Sequence, residues 1–360
     1  MSKWKKVKLG EILQIKKGDY ITKKDAREGI YPVILGGKEP AYYIDKYNHT
    51  GKAIVVSRSG ASAGFVSFWN EPIFVTDGFL IEPKENITFE FLYYALKSKQ
   101  ALLHNAQKGA AIPHVTPLLI SDIDFLLPNE KSRHRIATIL SRYDSLIENY
   151  QKQIKLLEEA ARRLYKEWFV DLHFPGHENT KIVDGVPEGW EKTDINRVLT
   201  FHRGYDLTHK EFVDGPYPVV GSTSIIGNHN KYKIEGPGIV TGRSGSLGIY
   251  QLIWENFWPH NTSLYISDFK GHDVSYIYCM LKTVDFTSLN SGGAIPSLNR
   301  NTLSNISVLE PTMVLQESFS KEVTPMFKRQ KMLQSQIRLL TEARDRLLPK
   351  LMSGKINVEC

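Results

Sequence analysis

The 360-residue chain carries one pattern written twice, and this repeat constrains its fold more than any other feature. Trp4-Lys5-Lys6-Val7-Lys8-Leu9 returns as Trp190-Glu191-Lys192-Thr193-Asp194-Ile195, 186 residues on. Tyr31-Pro32-Val33-Ile34 returns as Tyr217-Pro218-Val219-Val220 at the same offset, and Ser57-Arg58-Ser59-Gly60 as Gly242-Arg243-Ser244-Gly245 at 185. Ala111-Ile112-Pro113 matches Ala294-Ile295-Pro296, and Gln153-Ile154-Lys155-Leu156-Leu157 matches Gln336-Ile337-Arg338-Leu339-Leu340, both at 183. One such match is within reach of chance. Five in the same order are not, and the slowly shrinking offset is what small loop deletions produce.

Each copy has a globular part and a helical part. Residues 1–128 and 189–311 are rich in Gly, Pro and aromatics, with short β-type runs. Ala53–Ser57, Phe65–Phe68 and Phe79–Glu82 read as strands, mirrored by Ile239–Thr241, Ile249–Ile253 and Ser263–Ile266. Phe89–Leu103 and Val274–Leu281 read as helices. Two compact α/β (mixed) domains in tandem are expected.

The helical parts are 129–172 and 312–360, and a linker at 173–188 joins the first of them to the second globular part. Ile136, Leu140, Tyr143, Ile147, Tyr150, Ile154, Leu157, Ala161, Leu164 and Trp168 alternate in steps of four and three, the seam of a coiled coil. Phe319, Val323, Met326, Gln330, Leu333, Ile337, Leu340, Arg344, Leu347 and Leu351 repeat the spacing, with Gln330 and Arg344 as polar interruptions of the kind that fix register. Pro325 is expected near the start of its helix and Pro349 at its end. A helix of about 35 residues spans roughly 50 Å and needs a partner. The copy of itself is the obvious one. The expectation is two long helices in an antiparallel coiled coil separating the domains, a dumb-bell with pseudo-two-fold symmetry; two helices packed separately on their own domains is the alternative.

Bulk composition narrows the class. The longest apolar runs, such as Ala53–Val56, are far too short to cross a bilayer, and no apolar core follows the basic N-terminus, so neither membrane nor secretion is expected. Two cysteines, Cys279 and Cys360, make no disulfide framework, which fits the cytoplasm. The net charge of +7 suits a phosphate-bearing partner, although a merely basic soluble protein fits it equally. Two related but non-identical readers held apart by a stiff rod are what a split, asymmetric target requires.

Three stretches carry a family resemblance over essentially the whole chain. They are Leu164-Tyr165-Lys166-Glu167-Trp168-Phe169 with Phe174-Pro175-Gly176, the opening Pro187-Glu188-Gly189-Trp190, and the end Arg346-Leu347-Leu348-Pro349-Lys350-Leu351-Met352-Ser353-Gly354-Lys355-Ile356. With the repeat, they resemble the specificity (S) subunits of type I restriction–modification systems. The resemblance implies two target-recognition domains on double-stranded DNA, two spacer helices, and assembly with methyltransferase (M) subunits, usually two, and with restriction (R) subunits. The first copy opens on Lys3-Trp4 without the Pro-x-Gly lead-in, which reads as truncation of a flanking segment.

Catalytic signatures are missing from the sequence. Gly37-Lys38, Gly51-Lys52 and Gly354-Lys355 are followed by Glu39, Ala53 and Ile356, so none completes a phosphate-binding loop. There is no Asn/Asp-Pro-Pro-Tyr/Phe stretch of an adenine methyltransferase. Asp77 with Glu82-Pro83-Lys84 reads as a chance likeness to a nuclease pattern, and His173 and His177 as a linker accident rather than a zinc site. Cys279 reads as core. No cofactor is expected on this chain; S-adenosylmethionine, ATP and Mg belong to the partner subunits that the resemblance implies.

The best DNA-contact candidates are the turns Arg58-Ser59-Gly60 with Ser62, and Arg243-Ser244-Gly245 with Ser246. Glycine admits close backbone approach, serine donates to phosphate, and arginine forks onto guanine or phosphate. A polar hairpin explains them equally well. The loops holding Lys108 and His114, and their counterpart at 290–297, come second, with a structural turn as the plain account. Residues that differ between copies should carry specificity, such as Lys38 against Ser224 and His114 against Ser297. Tyr20 and Tyr205 lie in similar Gly- and Asp-containing turns and can pack on a base or simply on the protein. Rival functions are a free-standing nuclease or methyltransferase, a coiled-coil scaffold that binds no DNA, and the recognition subunit of a type IIB-like enzyme.

Overall fold

A computed structural model describes residues 4–22, 24, 26–35, 37, 39–105, 114–242, 248–284 and 306–358. Two compact units emerge: Met1–Tyr150 together with Ser335–Cys360, and Gln151–Gln334. Each holds one globular part and a portion of each long helix.

In the first unit the order is β1 (Lys5–Lys8), α1 (Leu9–Ile12), β2 (Leu13–Lys17), β3 (Glu28–Ile34), β4 (Tyr42–Ile44), β5 (Lys52–Ser57), β6 (Val66–Asn70), β7 (Phe74–Val75) and β8 (Gly78–Pro83). Then come α2 (Phe89–Ser98), α3 (Gln100–Asn105), α4 (Pro117–Ser121), β9 (Asp124–Leu127) and α5 (Glu130–Tyr165), which continues into the second unit. An antiparallel sheet runs β2-β8-β5-β6; a smaller sheet runs β4-β3-β7, with β3 and β7 parallel; β1 pairs with β9. The apolar run of β5 is explained by period-2 alternation. Ile54 and Val56 face a core with Phe79, Ile81, Phe91 and Leu92. Ala53 and Val55 face a second with Ile34, Ile73, Val75 and Leu80.

The second unit repeats this topology. After a small hairpin, β10 (Ile182–Val183) and β11 (Val186–Pro187), come β12 (Glu191–Asp194), α6 (Ile195–Val198), β13 (Thr200–Arg203), β14 (Tyr217–Val220), β15 (Ile225–His229), β16 (Gly238–Gly242), β17 (Tyr250–Ile253), β18 (Trp258–Pro259), β19 (Ser263–Asp268), α7 (Val274–Thr283) and β20 (Ser307–Glu310). Its sheets are β13-β19-β16-β17, β15-β14-β18 and β12-β20, each strand the counterpart of one in the first unit. Ile239 and Val240 again face separate cores. Thr88 caps α2 by accepting from Phe91 N, and Asp273 caps α7 by accepting from Ser275 N. The helix expected over Phe89–Leu103 is instead two, broken at Lys99, whose N–H turns back to Leu96 and Lys97 carbonyls.

The last helix, α8, runs Met313–Met352 for 40 residues, and α5 for 36. Both prolines depart from expectation. Pro325 lies well inside α8, and Pro349 falls in its last turn without ending it. Each removes one N–H from the ladder, a loss offset by the apolar stripe, where Phe319, Val323 and Leu351 are all but fully buried. The helix stops just beyond Met352, with Gly354 at φ +72°. In the first unit Ile136 and Leu140 share a core with Leu348 and Leu351. In the second, Ala161 and Tyr165 share one with Phe319 and Val323. Gln330, a polar interruption in the stripe, donates to Ile154 O at 3.1 Å.

Beyond Tyr165 the chain makes a π-helical turn, Lys166–Val170. It carries Trp168 and Phe169 onto Phe319, with ring centroids 5.8 and 5.1 Å away, while Phe174 meets Trp190 at 5.0 Å. The aromatics of the family-like stretch are therefore core residues of the second unit. The starts of the long helices are anchored alike. Arg133 donates to Pro128 O and Asn86 O; its counterpart Gln316 donates to Pro311 O and accepts, through Oε1, from Nδ1 of the buried His272.

Candidate nucleic-acid interface

Strand direction gathers chemistry-bearing loops at one end of each main sheet. In the first unit β2 and β5 end there and β6 and β8 begin there, as the pairings Lys17 with Phe79 and Ser57 with Gly78 require. The chain leaving β2 is held by Gly18 N donating to Gly78 O at 3.1 Å and Asp19 N to Val75 O at 3.0 Å. A Cβ on Gly18 would lie 2.5 Å from the Val75 oxygen, so this close approach admits glycine alone. Asn48 braces the same point, donating to Asp19 Oδ2 and Val75 O and accepting from Val75 N.

Arg58, Ser59 and Gly60 form the β5–β6 turn beside this point. Arg58 N donates to Asp77 O at 3.2 Å, and Arg58 O accepts from Val115 N at 2.9 Å. Arg58 Nε lies 2.8 Å from Asp77 Oδ1, an ion pair in which the N–H does not point along the line to the oxygen. Ser59 Oγ donates to Asp77 Oδ2, and Ser59 pairs as an isolated bridge with the exposed His114. Gly60 has φ +77° and no atom of the described residues in front of it within 4 Å; Ser62 O accepts from Phe65 N at 2.9 Å. Tyr20 is 89% exposed, just past the end of β2. Arg58, Ser59, Gly60, Ser62, His114 and Tyr20 thus share one sheet end. Lys38 and Lys108 lie outside the described residues.

In the second unit, Arg243, Ser244, Gly245 and Ser246 lie outside the described residues, as does Ser297. Gly204 repeats the role of Gly18, its N donating to Ser263 O at 3.0 Å. By that register Tyr205 corresponds to Asp19, and Tyr20 to Asp206, so the two tyrosines are not counterparts. Tyr205 is half-buried. Its hydroxyl meets Tyr265 at 3.0 Å, and its ring lies near His202 and Trp258 with the Lys233 ammonium 5.4 Å from its centroid. Ser224 is exposed in the β14–β15 turn, where its carbonyl accepts from Gly221 N.

Sequence reasoning set Asp77 aside as a chance likeness to a nuclease pattern, and missed Asn261, His260 and Arg203. Asn261 donates to Asp206 and accepts from Arg203 Nε; His260 ties to Leu207 O and Thr262 Oγ1. Strand register pairs Ser57 with Gly78 and Gly242 with Ser263, which sets Asp77 against Thr262. The test of differing matched positions, which singled out Lys38 and Ser224, would have found this pair too. The rings of His173 and His177 lie 5.3 Å apart and tilted at 46°, and among the described residues no group of three or more His, Cys, Asp and Glu could hold a metal. None of the described helices is long and apolar enough to cross a membrane.

Two copies of one mixed α/β domain, each presenting polar loops at one sheet end, define a tandem recognition protein. Residues 1–159 and 187–337 both match the type I restriction modification DNA specificity domain, and the chain belongs to that family. It is a specificity subunit, a recognition component rather than an enzyme. It is similar to the type I restriction enzyme MjaIX specificity subunit of Methanocaldococcus jannaschii, 26% identical over 339 residues that cover 86% of this chain and 78% of that one. The MjaVIII specificity subunit of the same organism is 28% identical over 223 residues, 59% of this chain and 52% of that one. In fold it is similar to the crystal structure of a type I restriction–modification S subunit from M. genitalium, with a TM-score of 0.68 and 22% identity over 98% of this chain and 96% of the other.

Proposed function

We propose that residues 1–128 and 189–311 each read one part of a split, asymmetric target in double-stranded DNA, on behalf of a type I restriction–modification complex. The DNA face comprises Arg58, Ser59, Gly60, Ser62, His114, Tyr20 and Lys38 with Lys108 in the first domain, and Arg243, Ser244, Gly245, Ser246, Ser224 and Tyr205 in the second. The observation that carries this reading is that one backbone scaffold recurs with different side chains on it. Gly18 and Gly204 hold the same close approach, while Asp77 is replaced by Thr262 and Tyr20 by Asp206. Identical readers would see identical half-sites; these do not.

The two long helices, 129–172 and 312–360, act in this proposal as an antiparallel coiled-coil spacer that fixes the gap between half-sites and docks two M subunits. The linker is 173–188. S-adenosylmethionine, ATP and Mg are bound by M and R subunits, and the complex works in the cytoplasm. Co-expression with the M subunits, followed by single-molecule sequencing for methylated adenine, tests it. A split motif that appears only with this chain present is expected; methylation with the same motif in its absence refutes it.

A further inference from the structure

We infer that Asp77 positions Arg58 to read a guanine in the half-site recognised by residues 1–128. This rests on the reading of the sheet end as the DNA face. The backbone of Arg58 is pinned on both sides, by Asp77 O and Val115 N. Both oxygens of Asp77 are engaged by the turn, Oδ1 with Arg58 Nε at 2.8 Å and Oδ2 with Ser59 Oγ. The carboxylate cannot swing away without releasing both residues. Its side chain is 22% exposed, against 37% for Arg58, so the anchor sits below and the guanidinium at the surface.

The ion pair lies on the Nε flank of the guanidinium, without an aligned hydrogen bond. The end that forks onto a guanine is the pair of Nη groups, which donate to O6 and N7 in the major groove. Beyond the turn Gly60, at φ +77°, has no atom of the described residues within 4 Å of where a Cβ would stand, so none of them blocks a base edge there. A phosphate contact tolerates a swinging cation, whereas a base contact needs one aimed in advance by a second residue. The second copy retains Arg-Ser-Gly at 243–245 but has Thr262 where Asp77 stands, and threonine holds no guanidinium by charge. The aiming residue is therefore specific to the first domain.

The test is the methylated motif made by the assembled complex carrying Arg58→Lys, Asp77→Asn, or the charge exchange R58D/D77R. Lysine keeps the ion pair and so the local fold, but cannot fork. Arg58→Lys is expected to lose about 10- to 100-fold discrimination at one G·C pair of the first half-site, Asp77→Asn to relax the same position, and the second half-site to stay unchanged. The exchange, which restores an ion pair, should not restore the guanine. A motif fully restored by the exchange would make the pair merely structural and overturn the inference. So would an even loss of methylation at all sites under Arg58→Lys, the mark of a phosphate contact, or a first half-site with no G·C pair. Failure of the underlying reading looks different: replacing all of residues 1–128 would then leave both half-sites as they were.

Discussion

Asp144 on α5 and Arg344 on α8, 200 residues apart in the chain, meet in the first unit with Nη1 2.5 Å from Oδ1. Arg344 also reaches Asp345, and Asp144 accepts from Tyr94. Burial, then the Asp144 carboxylate, push the Tyr94 phenol above its usual range, so it stays a donor at any ordinary pH. At the corresponding places in the second unit stand Phe327, Ala161 and Cys279, at offsets of 183 for the helices and 185 for Tyr94. One copy solves the contact with charge and the other with apolar packing.

Breaking this cluster is expected to destabilise, and converting it should not. Arg344→Ala strands a carboxylate that is 32% exposed, between the surface and buried limits, and should cost about 1–3 kcal/mol. The triple change Asp144→Phe, Arg344→Ala and Tyr94→Cys, which writes the second unit's solution into the first, should restore most of that loss. Urea unfolding of the three proteins checks it; a triple variant less stable than Arg344→Ala contradicts the equivalence.

Gly18→Ala and Gly204→Ala should each destabilise by about 1–3 kcal/mol, because an added Cβ meets backbone that cannot yield as a side chain would. Gly60→Ala meets no atom of the described residues and should suffer chiefly from its positive φ, about 1 kcal/mol. Thermal melting ranks the three, and Gly60→Ala as the most damaging would count against the geometry described.

The repeat made the fold legible. Matched runs such as Ser57-Arg58-Ser59-Gly60 marked equivalent turns, and the apolar runs around Ile54 and Ile239 marked strands. Less was visible where a residue's role depends on a distant partner. Asp77 and Arg58 are 19 positions apart, and only the pairing of β5 with β8 brings them together. Tyr20 and Tyr205 looked equivalent because Gly and Asp flank both, but strand register offsets them by one. Prolines misled for a related reason: the local penalty at Pro325 and Pro349 was readable, while the buried stripe that outweighs it belongs to tertiary packing.

Cys279 should be chemically silent in the folded chain. It is 5% exposed, and burial pushes its thiol up to about 12 from the usual 9. A raised thiol pKa means less thiolate at a given pH, here about 1000-fold less near pH 8, so alkylation slows by at least that much. Iodoacetamide labelling read by peptide mass should leave Cys279 unmodified until the chain is denatured. Labelling within tenfold of a free cysteine's rate would contradict the burial.

Caps offer a matched comparison between the copies. Thr88→Ala and Asp273→Ala should each cost about 1 kcal/mol, by freeing the helix N–H groups they accept from. The two losses should add in the double variant, since the caps sit in separate units. Strong non-additivity in calorimetry would show the two to be coupled.

The most direct test of two independent readers is a block exchange in the assembled, methylating complex. Residues 1–128 are replaced by the corresponding domain of another specificity subunit, and methylated adenines are mapped across host DNA. The account predicts that one half of the motif changes to that of the donor while the other half and the gap stay fixed. A motif unchanged in both halves would contradict it, and would leave this chain a scaffold rather than a reader.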